Sequence, residues 1–80
     1  MKYFVYLLYS ESYNRFYKGM TANIEKRLKE QNRGQTFSTK PYKPWKLIYF
    51  EEFSNREEAR KREKFLKSGQ GRDFIKQFEK

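Results

Sequence analysis

Glu63 is a carboxylate at a position where an apolar side chain is expected. At 100° per residue, Ala59, Glu63 and Leu66 fall in one stripe of a helical segment, while Arg60, Lys61 and Lys64 point elsewhere. An ionised carboxylate turned toward a core is costly unless it is paired or holds a cation. Two compensations fit. One is an internal ion pair, with Arg27 as the candidate partner. The other is a hard divalent cation such as Mg²⁺, which can use one protein carboxylate and fill its other positions with water and phosphate oxygens. Arg27 and Gln31 form a second unusual pair, one helical turn apart and flanking the stripe of Ile24 and Leu28. A half-buried arginine can grip a phosphate through two parallel hydrogen bonds. It can also cap the edge of a core with its stem. Tyr6 and Tyr17, on neighbouring candidate strands, read as a cross-strand core pair. The chain has no histidine and no cysteine, which excludes the usual general base, the usual zinc ligands, thiolate sites and disulfides.

These residues must be positioned by a small frame. Eighty residues suffice for one domain, residues 1–80, with a correspondingly small core. Leu, Ile, Val and Phe together number only 17, close to a disordered composition at this charge. Aromatic residues at 20 % argue the other way, because large rings fill a small core with few side chains. No stretch of 18 apolar residues is present, so no membrane span is expected. The apolar run from Tyr3 to Tyr9 is short and tyrosine-rich, unlike a signal-peptide core. A cytosolic (cytoplasmic) protein with no membrane partner is the expectation.

Lys2 to Tyr9 reads as a strand filled on both faces, hence central. Ser10 to Arg15 reads as a hairpin connection and Phe16 to Met20 as the return strand, with Gly19 marking a close approach of backbone or ligand. Thr21 or Asn23 can cap a helix running to about Arg33, with Gly34 stopping it. Residues 35–44 are polar and basic, and Pro41 and Pro44 forbid a helix. Trp45 to Phe53 is a third strand. Ser54 and Glu57 match a capping box for a helix running to about Ser68, with Gly69 as its C-terminal cap. Gln70 and Gly71 then turn the chain into a short helix presenting Phe74, Ile75 and Phe78. The fold class is α+β: a three-stranded antiparallel sheet flanked by helices, in the order β-β-α-β-α-α.

Lys and Arg number 19 against 10 Asp and Glu, a formal charge of +9. Between Lys26 and Lys46 stand seven basic residues and one acid, so this segment supplies most of the excess. Lys26, Arg33, Lys40 and Lys43 are candidates for phosphate contact, interleaved with Phe37, Tyr42 and Trp45 as candidate stacking rings. A solvated helix face with core aromatics is the plainer explanation of the same pattern.

The chain resembles the GIY-YIG nuclease domains over essentially its whole length. Phe4-Val5-Tyr6 stands at the first motif and Tyr17-Lys18-Gly19 at the second. Arg27 follows Tyr17 by ten residues, the family's spacing for its catalytic arginine. Arg27 to Gly34 (RLKEQNRG), Pro44 to Phe53 (PWKLIYFEEF) and Glu57 to Gly69 (EEARKREKFLKSG) resemble the small stand-alone members. Glu63 then aligns with the metal-binding glutamate.

The resemblance implies a DNA phosphodiester hydrolase that uses one divalent metal, Mg²⁺ or Mn²⁺, with a role in DNA repair or recombination. Glu63 would hold the metal, and Arg27 would neutralise charge on the reacting phosphate. Tyr17 would lie beside the attacking water and take its proton. Tyr6 would orient that water or the phosphate, Gln31 would orient water, and Lys18 and Gly19 would meet the substrate. Two departures stand out. Gln31 occupies a position where many members have histidine, and no asparagine follows Asn55 to support the site. The partner would be DNA, branched or damaged forms included, with a protein partner supplying specificity. Two other functions fit the charge: a non-catalytic nucleic-acid-binding module on the same fold, and a small basic protein docking on acidic partners or ribosomal RNA.

Overall fold

The computed structural model describes residues 2–34 and 40–78. Burial on both faces, continuous from Val5 to Leu8, sets the first strand, β1 (Tyr3–Ser10), at the centre of a three-stranded sheet of order β2-β1-β3. It pairs antiparallel with β2 (Arg15–Thr21) on one side and β3 (Lys46–Phe53) on the other. Residues 11–14 close the hairpin. Asn14 adopts a positive φ of 51°, which asparagine tolerates, and its Oδ1 accepts a hydrogen bond from the Tyr9 hydroxyl at 2.9 Å. The register of β3 slips between Leu7 and Leu8, leaving Ile48 as the extra residue of a bulge.

Side chains of β1 alternate, so the sheet divides the core in two. Val5 packs with Ala59 and Leu66, against Tyr3, Met20, Phe53, Phe65 and Phe74. Tyr6 and Leu8 pack with Trp45 on the opposite face, against Tyr17, Ile24, Leu28, Tyr42 and Leu47. The second face is covered by α1 (Ile24–Asn32), the first by α2 (Arg56–Leu66) and α3 (Gly69–Ile75). The expected element order is the observed one. Few aliphatic residues suffice because rings do the filling, as where Tyr49 meets Phe74 edge-on and Phe78 in a tilted contact.

Local chemistry explains the helix ends, and several differ from the sequence expectation. Asn23 caps α1, its Oδ1 accepting from Lys26 N at 3.1 Å, and Gly34 leaves the helix at φ +79°. The cap of α2 is Asn55, whose Oδ1 accepts from Glu58 N at 2.9 Å, so the Ser54–Glu57 capping box is not formed. Asparagine one residue later makes the same bond in better register with the apolar stripe. That helix ends at Leu66, with Lys67 as its C-cap. Gly69 begins α3 rather than ending α2, because Ser68 caps the new helix through Gly71 N. Gln70 and Gly71 are therefore helical, not a turn. Residues Lys40–Tyr42 make one 3₁₀ turn despite Pro41. Phe37 lies outside the described residues.

A partly buried network ties α2 to β3. The Arg62 guanidinium donates to Glu51 at 3.0 Å and 3.1 Å, Tyr49 donates to the same carboxylate, and Arg62 lies over the rings of Phe65 and Phe74. The cap assignment is testable by urea unfolding. Asn55→Ala should cost about 1 kcal/mol, whereas Ser54→Ala should leave stability nearly unchanged. The reverse ranking would restore the capping box.

Candidate active site

Tyr6 lies on the central strand, between Gly19 of β2 and Phe50 of β3. Its phenol ring lies across Gly19. A Cβ at that position would overlap the Tyr6 ring and hydroxyl, which is why the edge strand carries glycine there. The glycine therefore accommodates a side chain of its own sheet. Within the fold, the close approach at Gly19 is that of the Tyr6 ring.

Three further elements contribute to the surroundings of this phenol. Tyr17, on the same sheet face, has its ring centroid 6.3 Å from that of Tyr6. Arg27 and Gln31 come from α1, and Glu63 from α2 across the sheet. The Tyr6 hydroxyl feels all of them. Burial raises its pKa well above the ordinary phenol value, and the neighbouring Tyr17 and Glu63 add to the rise. Arg27 and the adjacent Gln31 amide oppose it. Tyr6 is thus a neutral phenol at all ordinary pH, able to donate a hydrogen bond and unable to serve as a base.

The sequence-predicted ion pair between Arg27 and Glu63 is not formed. Glu63 pairs with Lys67, Oε2 to Nζ 3.5 Å, one turn along its own helix. Arg27 faces Glu30, at 3.8 Å from Nε, too far for a hydrogen bond. Local i,i+3 and i,i+4 partners outcompeted the long-range one. Glu63 does occupy the stripe between fully buried Ala59 and Leu66, and its side chain is only 15 % exposed.

Three polar atoms in this group are buried without partners: Arg27 Nε, Gln31 Nε2 and Gln31 Oε1. Gln31 is fully buried. Unsatisfied donors and acceptors in such a place have hydrogen-bonding capacity left for something outside the fold. Among the described residues no three acidic, histidine or cysteine side chains converge. The largely buried carboxylate of Glu63 fits a hard, largely hydrated cation such as Mg²⁺ or Mn²⁺, which can use a single protein carboxylate.

The remaining predicted contacts do not form one stripe. Lys26 and Arg33 are exposed on α1, where Lys26 and Arg27 help line a shallow depression of about 330 Å³. Lys40 and Lys43 flank Gly34 at the C-terminal end of α1, where cations are favoured by the helix dipole. Lys18 points to the other face of the sheet. Nor are the aromatics free for stacking as expected. Trp45 is buried in the core, its backbone bonded to the Asn32 amide, and Tyr42 packs on Tyr13 and Trp45 beneath Arg15. The ring exposed beside the site is Phe50, 51 % accessible and opposite Tyr6 on β3. Sequence reasoning missed it, because it sits inside a strand whose other aromatics are covered.

Residues 2–76 match the family model of the GIY-YIG catalytic domain. The chain belongs to the GIY-YIG family. It is 34 % identical over 79 residues to a UPF0213 protein of Staphylococcus haemolyticus (strain JCSC1435), covering 98 % of this chain and 95 % of that protein. A UPF0213 protein of Clostridium perfringens (strain 13 / Type A) is 42 % identical over 65 residues, covering 80 % of this chain and 69 % of its own. The solution NMR structure of a UPF0213 protein from Bacillus halodurans is similar in fold, with a TM-score of 0.58 at 25 % identity, over 98 % of this chain and 85 % of that one. The GIY-YIG motif residues are therefore the two strands of a hairpin, Tyr6 and Tyr17 on one face, with Gly19 as the cradle for Tyr6.

Tyr6 should ionise after tyrosines of ordinary environment. Its native pKa lies above the unfolded value of 10.0, so the neutral phenol contributes stability that is complete below pH 10 and lost as pH rises further. Following phenolate absorbance with pH, Tyr6→Phe should remove the last-titrating component. Loss of an early component instead would contradict the buried, neutral phenol.

Proposed function

We propose that this GIY-YIG protein is a divalent-metal-dependent endonuclease that hydrolyses DNA phosphodiester bonds. The observation that carries the reading is the set of buried, unpartnered polar atoms on Arg27 and Gln31 next to the Tyr6 phenol and Glu63. A fold stabilised for its own sake would pair these atoms.

The residues divide the work by their chemistry. Arg27 presents a permanent cation with unused N–H groups, suited to the charge that grows on a phosphate under attack. Tyr6 holds its proton and can orient a water molecule or a phosphate oxygen by donating to it. Tyr17, on the same sheet face with its ring 6.3 Å from that of Tyr6, would take the proton of the attacking water, which it can do only as the phenolate. Gln31 can accept from and donate to that water through its free amide, although it cannot take up a proton. Glu63 would hold Mg²⁺ or Mn²⁺, with water and phosphate oxygens completing the shell. When bound, the metal supplies electrostatic stabilisation of phosphate and leaving-group charge. Lys26, Arg33, Lys40 and Lys43 offer backbone contacts along the α1 side. A place in DNA repair or recombination, a preference for branched or damaged DNA, and a partner supplying specificity belong to the same proposal.

One feature favours a non-catalytic nucleic-acid-binding module instead: Gln31 stands where a proton acceptor would be useful. Cleavage assays on plasmid, duplex, flapped and branched DNA separate the two. The native protein should nick or cut with Mg²⁺ or Mn²⁺ and stop with chelator. Glu63→Gln should fall to background, and Arg27→Ala should lose roughly 10²–10³-fold in rate, both with unchanged circular dichroism. Chelator-insensitive binding without cutting would establish the module. Gln31→His should add a pH dependence near the ordinary histidine pKa of about 6.5, absent from the native profile. An unchanged profile would remove Gln31 from the site.

A further inference from the structure

The basic residues of α1 cover one face of the sheet, and a second cationic group stands on the other. Lys18 pairs with Leu7 in the register of β1 and β2, which directs its side chain to the face under α2 and α3. Helix α2 packs across β1 and β2, and its C-cap is Lys67. The chain then reverses at once. Gly71 is buried, and a Cβ there would overlap the Phe65 carbonyl and the Leu66 Cα, so glycine alone permits this close crossing of α3 over the end of α2. The crossing brings the first turn of α3, which carries Arg72, against the end of α2, where Lys67 stands. Partial burial lowers the pKa of the Lys18 ammonium, and the charges of Arg72 and Lys67 lower it further.

Two carboxylates stand near the group and both are already paired: Glu63, and Asp73 next to Arg72 in the chain, which pairs with Lys76 at 3.5 Å. Glu63 pairs with Lys67 at 3.5 Å, and among the described residues neither Lys18 nor Arg72 forms an ion pair. Three converging cations with so little counter-charge repel one another in the free protein, and an arriving anion relieves that repulsion. The Arg72 guanidinium can take two oxygens of a phosphate, and the two ammonium groups act as point charges beside it.

We propose that Lys18, Lys67 and Arg72 form a phosphate subsite that holds a backbone phosphate of the bound strand, adjacent to the phosphate that meets Glu63. The subsite rests on the nuclease reading and extends it to the second face of the sheet. The strand would then pass the β2 edge between the α1 cations on one side and this trio on the other. A phosphate seated there also competes with Glu63 for Lys67, loosening the ion pair that occupies the carboxylate in the free protein.

The test is made on binding, so that it does not depend on cleavage. In a Glu63→Gln background without divalent metal, anisotropy of labelled duplex is followed from ~50 to ~200 mM salt. Lys18→Gln with Arg72→Gln should weaken binding several-fold and flatten the slope of log affinity against log salt by about 1. The control is Lys2→Gln with Lys76→Gln, which removes the same charge from two exposed lysines paired with Glu52 and Asp73. Equal effects of the two double variants would overturn the subsite. Thermal unfolding checks the fold, and the Lys18 variant should be at least as stable as its parent because repulsion is relieved.

A second measurement uses unmutated lysines. Added duplex should raise the Lys18 ammonium titration toward its ordinary value, read by NMR, and no rise would overturn the proposal. Inorganic phosphate is titrated in parallel. If it alone reproduces the full rise, the group is a free-phosphate site and the strand assignment fails. A native protein that never cuts but passes these tests sinks the nuclease reading alone. One that cuts but fails them sinks the subsite alone.

Discussion

The Tyr6 ring occupies the space that any side chain at residue 19 would need. That one exclusion organises the rest of the candidate site. Tyr6 belongs to the strand paired on both sides, so its backbone is the least free to move in the sheet. Its ring is held between the edge strand and α1, and burial keeps its hydroxyl protonated. A rigid, neutral donor thus stands among groups from α1 and α2. A bulkier residue at position 19 would displace the ring and with it the reference point for Arg27, Gln31 and Glu63.

A chain of this length reaches such an arrangement by using the sheet as a partition. One face carries Tyr6, Tyr17 and α1, and the other carries Val5, α2 and α3. Each helix contributes apolar residues to its own half of the core and one or two polar residues to the site. Arg27 and Gln31 flank Ile24 and Leu28, and Glu63 sits between Ala59 and Leu66. Site residues are therefore locked by the same packing that stabilises the fold, which is what preorganisation requires. The cost is visible in the buried amide of Gln31, which has no well-formed hydrogen bond beyond its approach to the Tyr6 hydroxyl.

The element order, the central position of the first strand and the inward stripe of Glu63 were legible in residue pattern, because strand and helix periodicity report which side faces the core. Choices between near-equivalent neighbours were not. Ser54 and Asn55 are both good caps, and only the fit of α2 to the sheet selects Asn55. Gly69 and Gly71 look like a helix stop, yet Ser68 turns them into the start of α3, and the tertiary crossing explains why glycine is needed. Trp45 looked like a stacking ring because its neighbours are basic, but its position just before β3 carries it into the core. The Glu63 partner was sought across the molecule in Arg27, although Lys67, four residues on, was already the shorter-range solution. The common face of Lys18 with Lys67 and Arg72 was hidden for the opposite reason: Lys18 is far from them in sequence, and only the sheet register and the packing of α2 and α3 reveal it.

The proposed chemistry requires a divalent cation at Glu63, within reach of Tyr6 and Arg27. Its most direct test is paramagnetic broadening of backbone amide signals on adding Mn²⁺. Broadening should centre on Glu63 and extend to Gly19 and Arg27, and Glu63→Gln should abolish it. Broadening centred instead on Glu51 and Glu52 or on Glu57 and Glu58, or persisting in the Glu63→Gln protein, would contradict it.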